Sequence, residues 1–551
     1  MSGRRIALAA LAETIEKTPG RIAIRAIDAD GVMAALTYRE LYEGACAAAA
    51  GLARLGLAAG DRIVLSMPTC GEFFSLYLAC LCAGLVPAVV PGARAQAAAD
   101  ALAARFIVLR GAAPAEGDSR HIEAGDLLTA APGRAIALAA EGEAMAHLQG
   151  TSGTTAMPRW AIVRHRNIAA NVQAIGRAID HRDDDALVTW LPMSHDMGLI
   201  GVSYAWYWGI PVVAADPANF IRNPLFWLEL IGKFEGTLSP APNSAFQACC
   251  RVAKLRPPKD LDLSSWRVAL CGSEPVHEAT LREFYETFRR HGLRREVLMP
   301  VYGLAEATLA VTISSTSESF RVERVDPAAG NRDAVVPASG EAGKYAVAVV
   351  GCGRVIPGHA LRIVDGGGQP VADGVVGEIE FAGESVVDGY FGVDDTAELK
   401  RDGFLRTGDL GYLRGGELFI TGRVKEILII NGRNFSPLQI EGTLERLLGA
   451  SFTPAVIAVE GADEQLRSGA LHLLLDSRLG PGDRTRVEAR VKQVLDEAFG
   501  LRGARLHWVL SGHIPRTPSG KIQRGRCRDL IARPAGGDAA SSPSTNMRRS
   551  G

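Results

Sequence analysis

The chain has 551 residues, 47% hydrophobic and 22% charged, with a formal net charge of −1. The length exceeds what one compact core holds and points to about two to four domains. The balanced charge, with no basic stripe and no acidic tail, leaves no electrostatic footprint for nucleic acid.

The N-terminal "MSGRRIALAALAETIEKTPG" opens with two arginines and an apolar run. It lacks the long apolar segment and small-residue cleavage site of a signal peptide. Glu13 and Glu16 fall at helical spacing, so an amphipathic surface helix is expected. Thr37 and Glu40 form a T-x-x-E capping box, followed by Leu41, Ala45, Ala48, Leu52 and Leu55 at helical period. "RIVLSM" reads as a strand, a helix starts near Gly71, and "PAVV" is another strand. The uncharged stretch from Phe73 to Gly92 is interrupted at Gly84 and Pro87. Neither half is long enough to span a bilayer, so a buried helix and a buried strand are expected, with no transmembrane segment.

Apolar strands then alternate with helices. "ALVTWL", "PVVAAD" and "RVALCG" are strands, and helices follow at "NPLFWLELIGKF" and from about His277. This pattern is α/β, with doubly wound parallel sheets. From about Tyr345 to Thr421, short strands lie between glycine-rich turns, which reads as a β-rich subdomain. After Arg423 comes a smaller α+β unit with strands "EILII", "PAVIAVE", "LHLLLD" and "RLHWVL", and helices from about Leu438 and near 486–499. The expected division is a large N-terminal domain over 1–422, a small mobile domain over 423–531 and a disordered tail over 532–551. The nine cysteines form no CxxC pair and no Cys/His cluster, which suits inert thiols in a reducing cytoplasm and argues against a zinc site.

Five islands carry candidate chemistry. "LQGTSGTTAMPRWAIVRH", from Leu148, groups Thr151, Ser152, Gly153, Thr154 and Thr155. Hydroxyls and exposed N–H groups of this kind cradle phosphate oxygens. The Walker pattern is absent, and the same composition also describes a polar hairpin. "WLPMSHDMGLIG" puts His195 after an apolar strand end, where open α/β sheets place ligands, or else as a satisfied loop histidine. "VYGLAEAT" sets Glu306 four residues after Tyr302. An aromatic face stacks on a base and a carboxylate holds Mg²⁺, but a buried tyrosine and a helix-end glutamate read the same way. Asp409 in "RTGDLGYL" either accepts hydrogen bonds from ribose hydroxyls or closes a turn. Lys521 in "PRTPSGKIQR" suits charge neutralisation in nucleotidyl transfer, or is an ordinary exposed lysine.

Taken in order, these islands resemble the adenylate-forming superfamily of acyl-CoA synthetases, peptide-synthetase adenylation domains, luciferases and fatty acyl-AMP ligases. The resemblance spans about Thr37 to Asp529. "WLPMSHDMGLIG", "RVALCGSEPV", "VYGLAEATLAVT", "GCGRVIPGHALRIVD", "GRVKEILIINGRNFSPLQIE" and "SPAPNSAFQ" look most like the fatty acyl-AMP ligases. The stretch from Ile313 to Val350 matches the place where that family carries an insertion that hampers coenzyme A use.

The resemblance implies roles. Thr151, Ser152, Gly153, Thr154 and Thr155 would wrap the β- and γ-phosphates of ATP. Gly272, Ser273 and Glu274 would border the adenine, with Tyr302 stacked on it and Gly303 beside it. Glu306 would help bind Mg²⁺, and Asp409 would hold the ribose with help from Arg423. His195 would sit by the acyl carboxylate and α-phosphate, Lys521 would bridge the two, and Lys425 would be the interdomain hinge. The implied reaction forms an acyl-adenylate from ATP and a carboxylic acid. The implied acceptor is the phosphopantetheine thiol of an acyl carrier protein. Coenzyme A as acceptor, an amino acid as substrate and an adenylate-binding protein without catalysis are the alternatives. Many relatives have Gly-x-Pro-Lys-Gly where this chain has Ala156-Met157-Pro158-Arg159-Trp160. Where glycine adopts positive φ, Ala156 costs on the order of 1 kcal/mol. Arg159 keeps the charge as a planar fork.

Overall fold

A computed structural model describes residues 6–532 apart from 112–119, 130–134, 152–157, 327–344, 394–397, 431–432, 449–458, 461–470, 477–480, 510–512 and 516–522. Ser152, Gly153, Thr154, Thr155, Ala156, Lys521, most of the "PAVIAVE" strand, the middle of the 313–350 segment and the tail lie outside the described residues. The chain forms two compact units, Met1–Ile427 and Leu428–Gly551.

The first unit is built on parallel sheets. Among the described residues, its largest sheet has nine strands. Strands Leu298–Gly303, Val268–Gly272, Leu238–Pro242, Leu187–Thr189, Val212–Ala215 and Ile22–Ile27 run parallel, side by side in that order. Antiparallel strands close both flanks: Met33–Thr37 beyond Ile22–Ile27, and Ala310–Ile313 beyond Leu298–Gly303. A second, all-parallel sheet is formed by Val86–Val89, Arg62–Ser66, Phe106–Leu109 and His121–Glu123. A five-stranded antiparallel sheet follows, built on Gly377–Ala382, Phe404–Arg414 and Glu417–Arg423. This is the α/β fold with a β-rich part that the alternation of elements predicts.

Local chemistry explains the elements. The helix Tyr38–Arg54 starts at a complete capping box: Thr37 Oγ1 accepts from Glu40 N, and Glu40 Oε2 accepts from Thr37 N. Leu41, Ala45, Ala48 and Leu52 are buried, as the 3.6-residue period requires. The uncharged stretch resolves into the helix Gly71–Cys82 and the strand Val86–Val89, separated by Gly84 at φ +69°. No helix among the described residues is long and apolar enough to cross a membrane. The nine cysteines are free, and burial pushes the thiols of Cys70, Cys80, Cys82, Cys250 and Cys352 up to about 12.

Several helices among the described residues were not expected from the sequence, among them His165–Ala178, Asp196–Trp208, Asn243–Leu255 and Arg524–Ala532. The first follows its strand with no glycine or proline between them. Its start is signalled by Asn167 Oδ1, which accepts from Arg164 N at 2.8 Å, not by a T-x-x-E pattern. The second unit has helices Pro437–Leu448 and Pro481–Phe499 beside a sheet of Val459–Glu460, Leu471–Asp476 and Arg505–Val509.

One buried ion pair fixes the base of the large sheet. The Asp185 side chain is fully buried and precedes the strand Leu187–Thr189. Its Oδ1 accepts from Arg267 Nε and from Thr237 Oγ1, both at 2.7 Å, and Oδ2 accepts from Arg182 N at 2.9 Å. Burial alone would raise this carboxyl, but the bonds from Arg267, Thr237 and Arg182 outweigh it and hold it below its ordinary value. A depressed folded-state pKa stabilises above the unfolded value and loses that contribution as pH falls through the folded one. Arg267→Ala therefore leaves a buried carboxylate unpaired, at a cost of about 3–5 kcal/mol at neutral pH. The expected result is a lower urea midpoint by tryptophan fluorescence, with a gap from the parent that narrows once the pH falls below the unfolded carboxylate value of 3.8. An unchanged midpoint at neutral pH would contradict it.

Candidate active site

The strands on either side of the hydroxyl-rich stretch form a hairpin. Strands Met145–Gly150 and Trp160–Arg164 pair antiparallel, with Gly150 opposite Trp160, and Thr151 N donates to Arg159 O at 2.8 Å. The flanks thus form a hairpin, and the residues that would distinguish a polar hairpin from a phosphate cradle lie outside the described residues. A third segment joins the hairpin edge. Phe391 N donates to Trp160 O at 2.8 Å, Ile162 N donates to Gly389 O at 3.1 Å, and Ala161 bridges Tyr390. The Arg159 guanidinium lies 5.3 Å from the centroid of the Tyr390 ring.

Tyr390 leads to Glu306: its hydroxyl donates to Glu306 Oε1 at 2.6 Å. Burial first, then the Glu306 carboxylate, push the phenol up, so it remains a donor. Glu306 sits in the 3₁₀ turn Ala305–Ala307, between the strands Leu298–Gly303 and Ala310–Ile313. The turn is closely held. Asn171 Nδ2 donates to the carbonyls of Ala307 and Ala310, and Asn171 Oδ1 accepts from Ala310 N. Thr308 is left-handed at φ +72°, and its hydroxyl donates to Ser385 O at 2.6 Å. Val387 N donates to Glu306 O at 3.0 Å. Gly303 is required by space, since a Cβ there would lie 2.0 Å from Leu309 O. Gly272 is required in the same way, with Val301 Cγ2 at 2.7 Å and Val301 O at 2.9 Å from its would-be Cβ. Packing alone accounts for both glycines.

Tyr302 and Asp409 meet across 107 residues of sequence, the tyrosine hydroxyl donating to Asp409 Oδ2 at 2.7 Å. Asp409 and Arg423 are cross-strand partners, and Arg423 Nε donates to Asp409 Oδ1 at 2.7 Å. Burial, then the Asp409 carboxylate, raise the Tyr302 phenol, while the same carboxylate raises Arg423. Asp409 lies within the strand Phe404–Arg414 and not in a turn, because it pairs in register with Arg423, and it is held from both sides.

His195 caps the helix Asp196–Trp208, beyond the end of the strand Leu187–Thr189. Its Nδ1 lies 2.6 Å from Asp196 Oδ1, and its Nε2 lies 3.4 Å from Ser273 Oγ. Ser273 follows the strand Val268–Gly272 and is left-handed at φ +68°. Glu274 Oε1 accepts from Ser244 N at the start of the helix Asn243–Leu255. Gln149 Nε2 donates to Ser194 O at 3.0 Å, which ties the hairpin to the His195 loop. These groups lie past the carboxyl ends of parallel strands, where open α/β sheets bind ligands. Lys425 sits in the exposed 3₁₀ turn Val424–Glu426, two residues before the boundary of the first unit.

The sequence reading missed Tyr390, Asn167 and Asn171. Tyr390 has no signal in the sequence, since its partner is 84 residues away. The asparagines did have one: two polar residues four apart on the apolar face of an amphipathic helix, both fully buried.

The chain resembles known proteins over most of its length. The AMP-binding enzyme family model matches residues 11–391. The medium-chain-fatty-acid–[acyl-carrier-protein] ligase JamA of Moorena producens is 36% identical over 70% of this chain; the chain spans 67% of that ligase's length. The long-chain-fatty-acid–AMP ligase FadD28 of Mycobacterium tuberculosis is 31% identical over 91% of this chain and 92% of its own. A solved structure from a study of fatty acyl-adenylate ligases of E. coli and L. pneumophila superposes with a TM-score of 0.82, at 31% identity over 96% of this chain and 97% of the other. The chain belongs to the AMP-binding enzyme family and is an adenylate-forming ligase related to the fatty acyl-AMP ligases.

Proposed function

We propose that this chain joins a fatty acid to AMP, releasing pyrophosphate from ATP, and passes the acyl group to the phosphopantetheine thiol of an acyl carrier protein. The observation that carries this reading is the pair of side-chain assemblies, Arg159–Tyr390–Glu306 and Tyr302–Asp409–Arg423, within a unit matched by the AMP-binding family model. The acceptor follows from the carrier-protein ligase among the relatives.

In the first half-reaction a carboxylate oxygen attacks the α-phosphorus, and the bond to the pyrophosphate oxygen breaks. A carboxylate is a poor nucleophile towards an anion, so the protein's contribution is positioning and charge neutralisation. In this reading Thr151, Ser152, Gly153, Thr154 and Thr155 take the β- and γ-phosphates, with Arg159 adding positive charge at the base of the loop. Gly272, Ser273 and Glu274 border the adenine, and Tyr302, with Gly303 beside it, stacks against the base. Asp409 takes the ribose hydroxyls: its two oxygens offer about four acceptor positions, of which Tyr302 and Arg423 each use one. His195 sits by the reacting carboxylate and α-phosphate, and Lys521 bridges them.

Glu306 would hold Mg²⁺. One carboxylate together with the substrate's own phosphates is a common ligand set for this cation. When bound, the cation neutralises charge on the departing pyrophosphate. In the second half-reaction the thiol attacks the acyl carbonyl and AMP leaves. The small domain over 423–531 swings about Lys425 between the two steps and withdraws Lys521. The free, buried thiols suit a reducing cytoplasm, where we place the reaction.

Two outcomes test this. With fatty acids of graded length, the enzyme releases pyrophosphate, and mass spectrometry finds the acyl group on holo carrier protein in preference to coenzyme A. Efficient acyl-CoA formation, or pyrophosphate release only with amino acids, contradicts the proposal. Lys521→Ala lowers adenylation by roughly 10²–10³-fold while transfer from pre-made acyl-adenylate survives. Equal loss of both steps contradicts the two-position scheme.

A further inference from the structure

We infer that Tyr390, braced by Arg159, is the positioning residue that fixes the Glu306 carboxylate for its cation. The inference rests on the proposed role of Glu306 as the metal ligand.

The backbone of the Glu306 turn is held by Asn171, Thr308 and Val387, but these contacts leave the side-chain torsions of the glutamate free. Freezing such a chain costs rotamer entropy. The Tyr390 hydroxyl meets that cost with a bond to an ionised acceptor, at 2.6 Å to Oε1. Its donation occupies one carboxylate oxygen and leaves the other for a cation.

Tyr390 is itself immobilised by the hairpin. Its backbone bridges Ala161, and the neighbouring residues bond to Trp160 and Ile162. Arg159, the first described residue but one after the hydroxyl-rich loop, lays its guanidinium over the ring at 5.3 Å. A planar cation covers a phenol face better than an ammonium does. The arginine that replaces the common lysine is thereby joined to the metal carboxylate through one aromatic ring. The strand Trp160–Arg164 and Glu306 are thereby coupled through Tyr390.

The test measures binding apart from turnover. Mn²⁺ is titrated into the full chain with α,β-methylene-ATP present, and free Mn²⁺ is read by electron paramagnetic resonance. Tyr390→Phe is expected to weaken Mn²⁺ by roughly 10–100-fold, as loss of an outer partner of a metal ligand does. Affinity for the nucleotide without metal stays at the parent value, and the thermal midpoint moves by less than about 2 °C. Arg159→Lys gives a smaller loss in the same direction, and Arg159→Leu a larger one. Parent-like Mn²⁺ affinity in Tyr390→Phe, with a large loss in Glu306→Gln, overturns the positioning role and leaves Glu306 as the ligand. Parent-like affinity in Glu306→Gln overturns the metal reading of Glu306 and this inference with it. If Tyr390→Phe unfolds, the Arg159 variants decide alone: unchanged Mn²⁺ affinity in Arg159→Leu overturns the inference.

Discussion

A buried carboxamide has to find protein partners for its N–H and C=O groups or lose the free energy that water would have supplied. Two such groups, one helical turn apart on His165–Ala178, organise the candidate site. Asn167 accepts from Arg164 N where the hairpin strand ends, and donates to Glu384 O and Val386 O. Asn171 holds both sides of the Glu306 turn. Both asparagines are fully buried, so no water competes for these bonds. One helix thereby locks together the hairpin, the segment that runs on to Tyr390, and the turn that carries the carboxylate. These three pieces are distant in sequence, and nothing local would bring them into register.

The same economy shapes the set around Asp409. Asp409 and Arg423 are aligned by strand register, and the Tyr302 hydroxyl closes the set from another sheet. The carboxylate is thus oriented before any ligand arrives, which is how preorganised sites avoid reorganising during the reaction. In the proposed reaction two anions must approach each other, and Arg159 and Arg423 are the positive charges assigned to it. His195 stands at the N-terminal end of a helix, where the backbone dipole also favours negative charge.

Much of the fold was legible from sequence because period and punctuation are local. The capping box at Thr37, the apolar face of Tyr38–Arg54 and the glycine between Gly71–Cys82 and Val86–Val89 all act within a few residues. The helix His165–Ala178 escaped because its cap is an asparagine inside the helix and its boundary has no breaker. Several residues carried two readings at once, and the structure shows the packing one. Tyr302 is a buried tyrosine and the partner of Asp409; Gly303 and Gly272 are demanded by close packing as well as by the motif. Tyr390 was not legible at all, because its meaning lies in a bond to Glu306 across 84 residues. The flanks of the hydroxyl-rich stretch form a hairpin, while the residues on which the contrast between phosphate cradle and polar hairpin turns lie outside the described residues.

The central claim is that a carboxylate oxygen of the substrate becomes bonded to the α-phosphorus. A fatty acid labelled with ¹⁸O in its carboxylate tests this directly. After complete turnover with ATP and holo carrier protein, the account predicts one ¹⁸O atom in the phosphate of AMP and none in pyrophosphate. Label in inorganic phosphate, or AMP without label, would contradict it.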